Sequence, residues 1–321
     1  MSLSHPQSMD FLRWNTLWSF CFGVMAFIIV IGNAISTSIL LSKRFRKRPH
    51  YLLTSLAIAD LVVGILAVPL YIIVADPGQK LLPRVLYDCV DMFAAKSSMF
   101  TLAVISLERL HAIARPLRHR QVTLGHYTIA IVTPWILSFM VASTRVLLHF
   151  SVLTKKEFVT VVTISLSAPL LTTCFAYCLI WRKQSSSIHN NEMRARNDAR
   201  LLRTSLIITV TFVFSWLPFE ILTIVASLCI SCQKHSFLLV IYPIKLLQYS
   251  NSFINFVIYC LRMPEFKRTL SKMLPSCKFI QGRCQVPYPL IDHGTGVALI
   301  SFASLRRWAV ITKTGKMTLN L

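Results

Sequence analysis

Polar residues divide this chain into seven apolar runs: Leu17 to Leu41, Tyr51 to Val74, Leu86 to Ala112, Tyr127 to Leu148, Phe158 to Trp181, Leu201 to Cys229 and Phe237 to Leu261. Each is about 20 residues or more, enough for a helix rising ~1.5 Å per residue to cross a ~30 Å hydrocarbon core. The runs are continuous rather than alternating, which argues against a β-barrel and for segments whose backbone groups pair internally. The pattern predicts an all-α membrane protein, a seven-transmembrane helix bundle over residues 17–261 behind a polar N-terminus at 1–16. No cleavable leader is expected, because Met1 to Asn15 is polar and the first run is long enough to remain as a span.

With 55% hydrophobic and 14% charged residues among 321, little of the chain is left for a water-soluble core. The net charge of +22 raises nucleic-acid binding, and its distribution argues for topology instead. Most of the 34 Lys and Arg lie in the loops after the first, third and fifth runs and in the tail; the other side carries only Arg13, Lys80, Arg84, Lys155, Lys156 and Lys234. Positive residues stay inside, so the N-terminus is expected outside and the tail in the cytoplasm, with anionic lipid as a secondary partner. Cys229 and Cys232 fall in the last outer loop, where a local disulfide and two free thiols are both open. Cys277 and Cys284 follow the last span on the inner side, where palmitoylation and unmodified thiols are the alternatives.

Polar groups inside the spans narrow the function. Asp60 stands alone among apolar residues of the second span and costs several kcal/mol unless protonated, hydrogen-bonded or paired. Asn33, Ser98, Asn251 and Asn255 are neutral oxygen-bearing groups, and an all-oxygen shell suits a hard monovalent cation such as Na+. A hydrogen-bonded structural Asp60 is the plainer alternative. In the third span Asp91, Ser98 and Arg109 share one helical face. Eighteen positions separate Asp91 from Arg109, roughly 27 Å, so Asp91 lies toward the outside and Arg109 at the cytoplasmic boundary. Arg109 has Glu108 beside it and Asp198 near the start of the sixth span, either as switch partners or as snorkelling interfacial charges. No His-Glu-x-x-His, Gly-x-Ser-x-Gly or phosphate loop occurs, which disfavours an enzyme with its cofactor.

Taken in order, Gly32-Asn33, Leu56-Ala57-Ile58-Ala59-Asp60, Glu108-Arg109, Trp135, Pro169 with Tyr177, Phe212 with Ser215-Trp216-Leu217-Pro218, Asn255 with Tyr259, and Phe266-Lys267-Arg268 resemble the rhodopsin-like (class A) G-protein-coupled receptors. The resemblance spans about Leu17 to Leu274. It implies a plasma-membrane receptor, multi-pass, with an outward-opening cavity for a small extracellular ligand and a cytoplasmic face for a heterotrimeric G protein. It also implies a sodium site at Asp60, Ser98, Asn251 and Asn255 near Trp216, and an inner switch of Glu108, Arg109, Tyr177, Asp198 and Tyr259. A short cytoplasmic amphipathic eighth helix is expected over 262–276, where Phe266, Leu270 and Leu274 recur every fourth residue. The tail, 277–321, falls outside the resemblance and is expected to be mostly disordered. Phe256 replaces the usual proline, Leu110 the usual aromatic after the arginine, and Arg84 the usual loop-anchoring cysteine.

For the ligand, Lys96-Ser97-Ser98-Met99-Phe100 and the Cys229/Cys232 pair resemble adenosine receptors, whereas Thr223 stands where those use an amide. Asp91 and Tyr249 resemble the acid and tyrosine of biogenic-amine receptors. Glu220 and Lys245 are expected to face the same cavity, so that Lys245 either neutralises Asp91 or meets a ligand carboxylate. Lys96, rotated ~140° from Asp91 on the helix, is the poorer partner for it. An amine or zwitterion is expected, with a nucleoside-like ligand as one alternative and an ion-coupled transporter as another. Tyr249 occupies the position of an opsin's Schiff-base lysine, so a light receptor is not expected.

Overall fold

The computed structural model describes residues 5–42, 45, 48–75, 81–186, 192–228, 235–273 and four short strands between 290 and 320. Seven long helical segments follow one another as the apolar runs predict. They are α1 (His5–Leu40), a second segment made of α2 (Arg48–Val62), a π-helical turn (Val63–Ala67) and α3 (Val68–Val74), then α4 (Leu81–Ala114), α6 (Leu124–His149), α7 (Lys155–Ser186), α8 (Glu192–Leu228) and α9 (His235–Arg262). The short α5 (Pro116–Gln121) bridges α4 and α6, and α10 (Pro264–Met273) follows α9 after one residue.

Among the described residues five segments are long and apolar enough to cross a membrane by length and composition: Thr16–Leu40, Pro49–Val74, Leu82–Ala114, Leu124–His149 and Lys155–Lys183. The sixth shows a shorter apolar stretch, Thr209–Val225. The seventh carries Lys245, Gln248, Asn251 and Asn255, all buried, so its polar groups are turned into the bundle.

Helix α4 is the central strut. It packs against α2, α6, α7 and α8, while α1 closes on α2 and α9, and α8 lies along α9. Small residues permit the closest approaches. A Cβ on Gly64 would stand 2.8 Å from Ile29 Cγ2 and 2.9 Å from Val30 Cγ2, so α1 and the second segment approach where only hydrogen fits. Gly32 gives a similar notch, in which a Cβ would meet the Phe256 ring at 3.3 Å. Phe256, which replaces the usual proline, thus packs toward α1 in an unbroken α9 whose one internal proline is Pro243.

The π turn is defined by Val68 N–H bonding Val63 O, five residues back. Nothing in the periodicity of the second run predicts it. Helix α10 falls where the eighth helix is expected, with Phe266 and Leu270 buried; Leu274 lies outside the described residues.

The chain divides into two compact units, Met1–Lys267 and Arg268–Leu321. In the second, β1 (Leu290–Ile291), β2 (Ala298–Phe302), β3 (Arg307–Ile311) and β4 (Met317–Asn320) form an antiparallel sheet in sequence order, with Ile300 opposite Ala309. Where the sequence predicts a tail mostly without regular structure, the structure pairs strands. The apolar stretch Val297 to Ile311, too short to span, splits into two strand-length pieces near enough in sequence to form a hairpin.

Candidate functional site

Three polar layers run down the bundle. The outermost centres on Asp91 of α4, whose carboxylate is held from α9 by two donors: Lys245 Nζ at 2.6 Å from Oδ2 and Tyr249 Oη at 3.1 Å from Oδ1. Lys245 also donates to Gln248 Oε1 at 3.0 Å, one helical turn on. Its ammonium lies 4.0 Å from the Phe219 ring centroid, within cation–π range. Tyr87, a turn before Asp91, meets Tyr249 hydroxyl to hydroxyl at 3.2 Å. Phe22, Tyr71 and Tyr242 pack on this pair, and Trp18 stacks on Tyr242 with centroids 5.7 Å apart, so aromatic rings from four segments cover the charges.

Both other acids of this layer are also matched. Asp88 takes Arg145 Nε of α6 at 2.7 Å, and Glu220 of α8 takes Lys96 Nζ at 3.4 Å. Lys96 therefore leaves Asp91 to Lys245, as its helical phase requires, and finds its acid on another helix. Thr223 is exposed, with its hydroxyl 2.9 Å from the Phe219 carbonyl of its own helix. Tyr87, Phe219, Gln248, Asp88 and Arg145 escape the sequence reading. Tyr87 and Gln248 were within reach of it, being four and three residues from Asp91 and Lys245 on the same faces.

In the middle layer Asp60 is fully buried. Ser98 Oγ donates to Oδ1 at 3.2 Å, and Asn255 Nδ2 to Oδ2 at 2.7 Å. Asn33 Nδ2 bonds the Ser252 carbonyl at 2.9 Å, leaving Asn33 Oδ1 buried without a hydrogen-bond partner. Asn251 is buried in the same stretch of α9. Below the outer layer Trp216 stacks on Phe212 at 5.6 Å, its indole N–H buried and without a hydrogen-bond partner. The donor set fits a small hard cation in part. Asp60 and Ser98 supply oxygens and Asn33 has one to spare, whereas Asn255 presents nitrogen and so supports the carboxylate rather than an ion.

The helical order, the buried polar residues and their placement coincide with one family. The model of the 7 transmembrane receptor (rhodopsin family) matches residues 32–259. The chain belongs to the rhodopsin family of 7 transmembrane receptors. It is 24% identical to adenosine receptor A2b of Gallus gallus, over 78% of this chain and 86% of that one. It is 26% identical to adenosine receptor A2a of Canis lupus familiaris and to that of Homo sapiens, in each case over 78% of this chain and 70% of the other. It is thus a multi-pass G-protein-coupled receptor and not an enzyme, with a small extracellular ligand and a G protein as the partners its family has in general.

The receptor's innermost layer joins α4, α5 and α6. Glu108 Oε2 lies 3.1 Å from Arg109 Nε, while Oε1 takes His119 Nε2 at 2.8 Å and the Tyr127 hydroxyl at 2.9 Å. Tyr177 and Ile180 pack with Leu110 and Ile113, and Tyr259 is buried against Phe266 at 5.8 Å. The side chain of Asp198, like Cys229, Cys232, Cys277 and Cys284, lies outside the described residues. His119 was not legible as a partner, since α5 is a separate helix whose orientation no spacing fixes. Tyr127→Phe removes one donor from a largely buried carboxylate, an expected loss of about 1.5–3 kcal/mol for a bond to a charged group. Ligand-free signalling should rise; unchanged signalling at equal surface expression would detach Tyr127 from the switch.

Proposed function

We propose that this receptor responds to a small extracellular ligand of zero net charge, a zwitterion before a simple amine, bound in the outer half of the bundle and read by a heterotrimeric G protein. The observation that supports this is the balance of the outer layer: Asp88, Asp91 and Glu220 face Arg145, Lys245 and Lys96 one for one. A monocation that took Asp91 would leave the Lys245 ammonium buried and unpaired, a cost of several kcal/mol. A zwitterion can part the pair and give each residue a pole, so the charge balance is kept. A neutral nucleoside-like ligand is the second reading, favoured by relatives named adenosine receptors. Family membership leaves no place for the transporter alternative.

The same proposal sets the N-terminus outside the plasma membrane, supported by the basic inner loops. It assigns Na+ to Asp60 as an allosteric ion, lipid contact to α10, a disulfide to Cys229 and Cys232, and palmitate to Cys277 and Cys284. The test is a response panel in cells carrying the receptor and a range of G proteins, challenged with amino acids, monoamines and nucleosides. Activation by amino acids that fails in both Asp91→Asn and Lys245→Met supports the zwitterion. Activation by monoamines that survives Asp91→Asn defeats any role for the acid, and activation by nucleosides alone selects the second reading.

A further inference from the structure

The ion pair between Lys96 and Glu220 shares in the charge balance of the outer layer, but the ligand's two poles are assigned above to Asp91 and Lys245 and not to this pair. Lys96 is 2% and Glu220 6% exposed, and the two join α4 to α8 within the bundle at 3.4 Å. Stability alone does not account for such a pair. Two desolvated charges rarely outperform apolar residues of the same size, and charges kept at membrane depth mark moving or binding parts.

Its place in α8 indicates which part. Glu220 stands two residues beyond Pro218, and the missing N–H of Pro218 makes this the weak point of the helix. On the outer side of that point α8 is tied twice: Phe219 lies under the Lys245 ammonium, and Glu220 is tied to Lys96. On the inner side Phe212 and Trp216 stack on each other, and Trp216 has a buried indole N–H without a hydrogen-bond partner. Lys96 is itself two residues from Ser98, which holds Asp60. The pair thus stands between the outer layer, the middle layer and the proline hinge.

We propose that Lys96 and Glu220 are positioning residues, a buried clasp that sets the angle of α8 at Pro218 and so restrains the inner half of the sixth span. Breaking the clasp frees that half. The inference holds whatever the ligand is, because neither partner needs to touch it.

The experiment compares the wild type with Lys96→Met/Glu220→Leu and with the charge-swapped Lys96→Glu/Glu220→Lys, all in lipid nanodiscs. Single substitutions leave one buried charge unpaired and can fail to fold, so the double variants decide. In the apolar double variant, amide exchange across 206–217 should quicken by about tenfold, the change that about 1.4 kcal/mol of local opening produces. Ligand-free nucleotide exchange on G proteins should rise with it. The swapped pair should return both toward wild type, which an effect of packing alone would not do. Wild-type amide exchange in the apolar double variant, or equal acceleration in the swapped and apolar variants, overturns the clasp.

Discussion

Lys245→Met should lower the stability of the folded receptor by about 3–5 kcal/mol, the usual cost of removing one partner from a buried pair. Asp91 would keep Tyr249 as a donor but lose the ammonium at 2.6 Å, in a site that is 9% exposed. Asp91→Asn should cost a similar amount by removing the only carboxylate bonded to Lys245 among the described residues, leaving the ammonium Gln248 and the rings of Phe219, Tyr249, Tyr87 and Tyr71. The combined Asp91→Asn/Lys245→Met variant should recover most of the loss, since no uncompensated charge remains. Melting of the purified protein measures all three. Additive losses in the double variant would show that the residues act separately and would remove the charge-balance argument for a zwitterion. Ligand selectivity should shift too: Lys245→Met leaves Asp91 open to monocations, and monoamines that fail on the wild type should gain potency.

Asp60→Asn is expected to abolish the sodium dependence of agonist affinity. If Asp60 and Ser98 hold the proposed cation in the state that binds agonist poorly, sodium should weaken agonist binding to the wild type. The asparagine keeps the shape, exchanges one of the two acceptor oxygens for an NH2 donor and removes the charge that attracts the ion. Titrating agonist affinity against sodium, with a large organic cation holding ionic strength constant, separates a site effect from screening. An equal sodium response in both proteins would leave Asp60 as a structural acid bonded to Ser98 and Asn255.

The helices were legible because lipid imposes a length on each span, and the order of the buried polar landmarks pointed to the family. From spacing alone pairings were legible only within a helix; that Lys245 could meet Asp91, and Ser98 and Asn255 could meet Asp60, came from the resemblance. The shared face of Asp91 and Ser98 follows from their spacing, as does the turning of Lys96 away from Asp91. That Lys96 meets Glu220, and Asp88 meets Arg145, depends on how α4, α6 and α8 are rotated about their axes, which packing decides and no single run encodes. His119 is the same problem at the inner surface, where a six-residue helix brings a ring to Glu108.

The π turn at Val63–Ala67 fixes more than a local hydrogen bond. An extra residue in a helix delays everything beyond it by about 100° of rotation. Tyr71, buried against Phe22 and Tyr249, lies on the far side of that delay. Were the turn to tighten to regular α geometry with every residue kept, Tyr71 would swing by about 100° out of the aromatic cover over Asp91 and Lys245; deleting one residue along with the π turn would leave Tyr71 facing as it does. The stretch between Asp60 and Tyr71 thus holds one residue more than a regular helix would use to join the same two facings, and the π turn takes up that surplus so that the acid and the aromatic cover both point into the bundle.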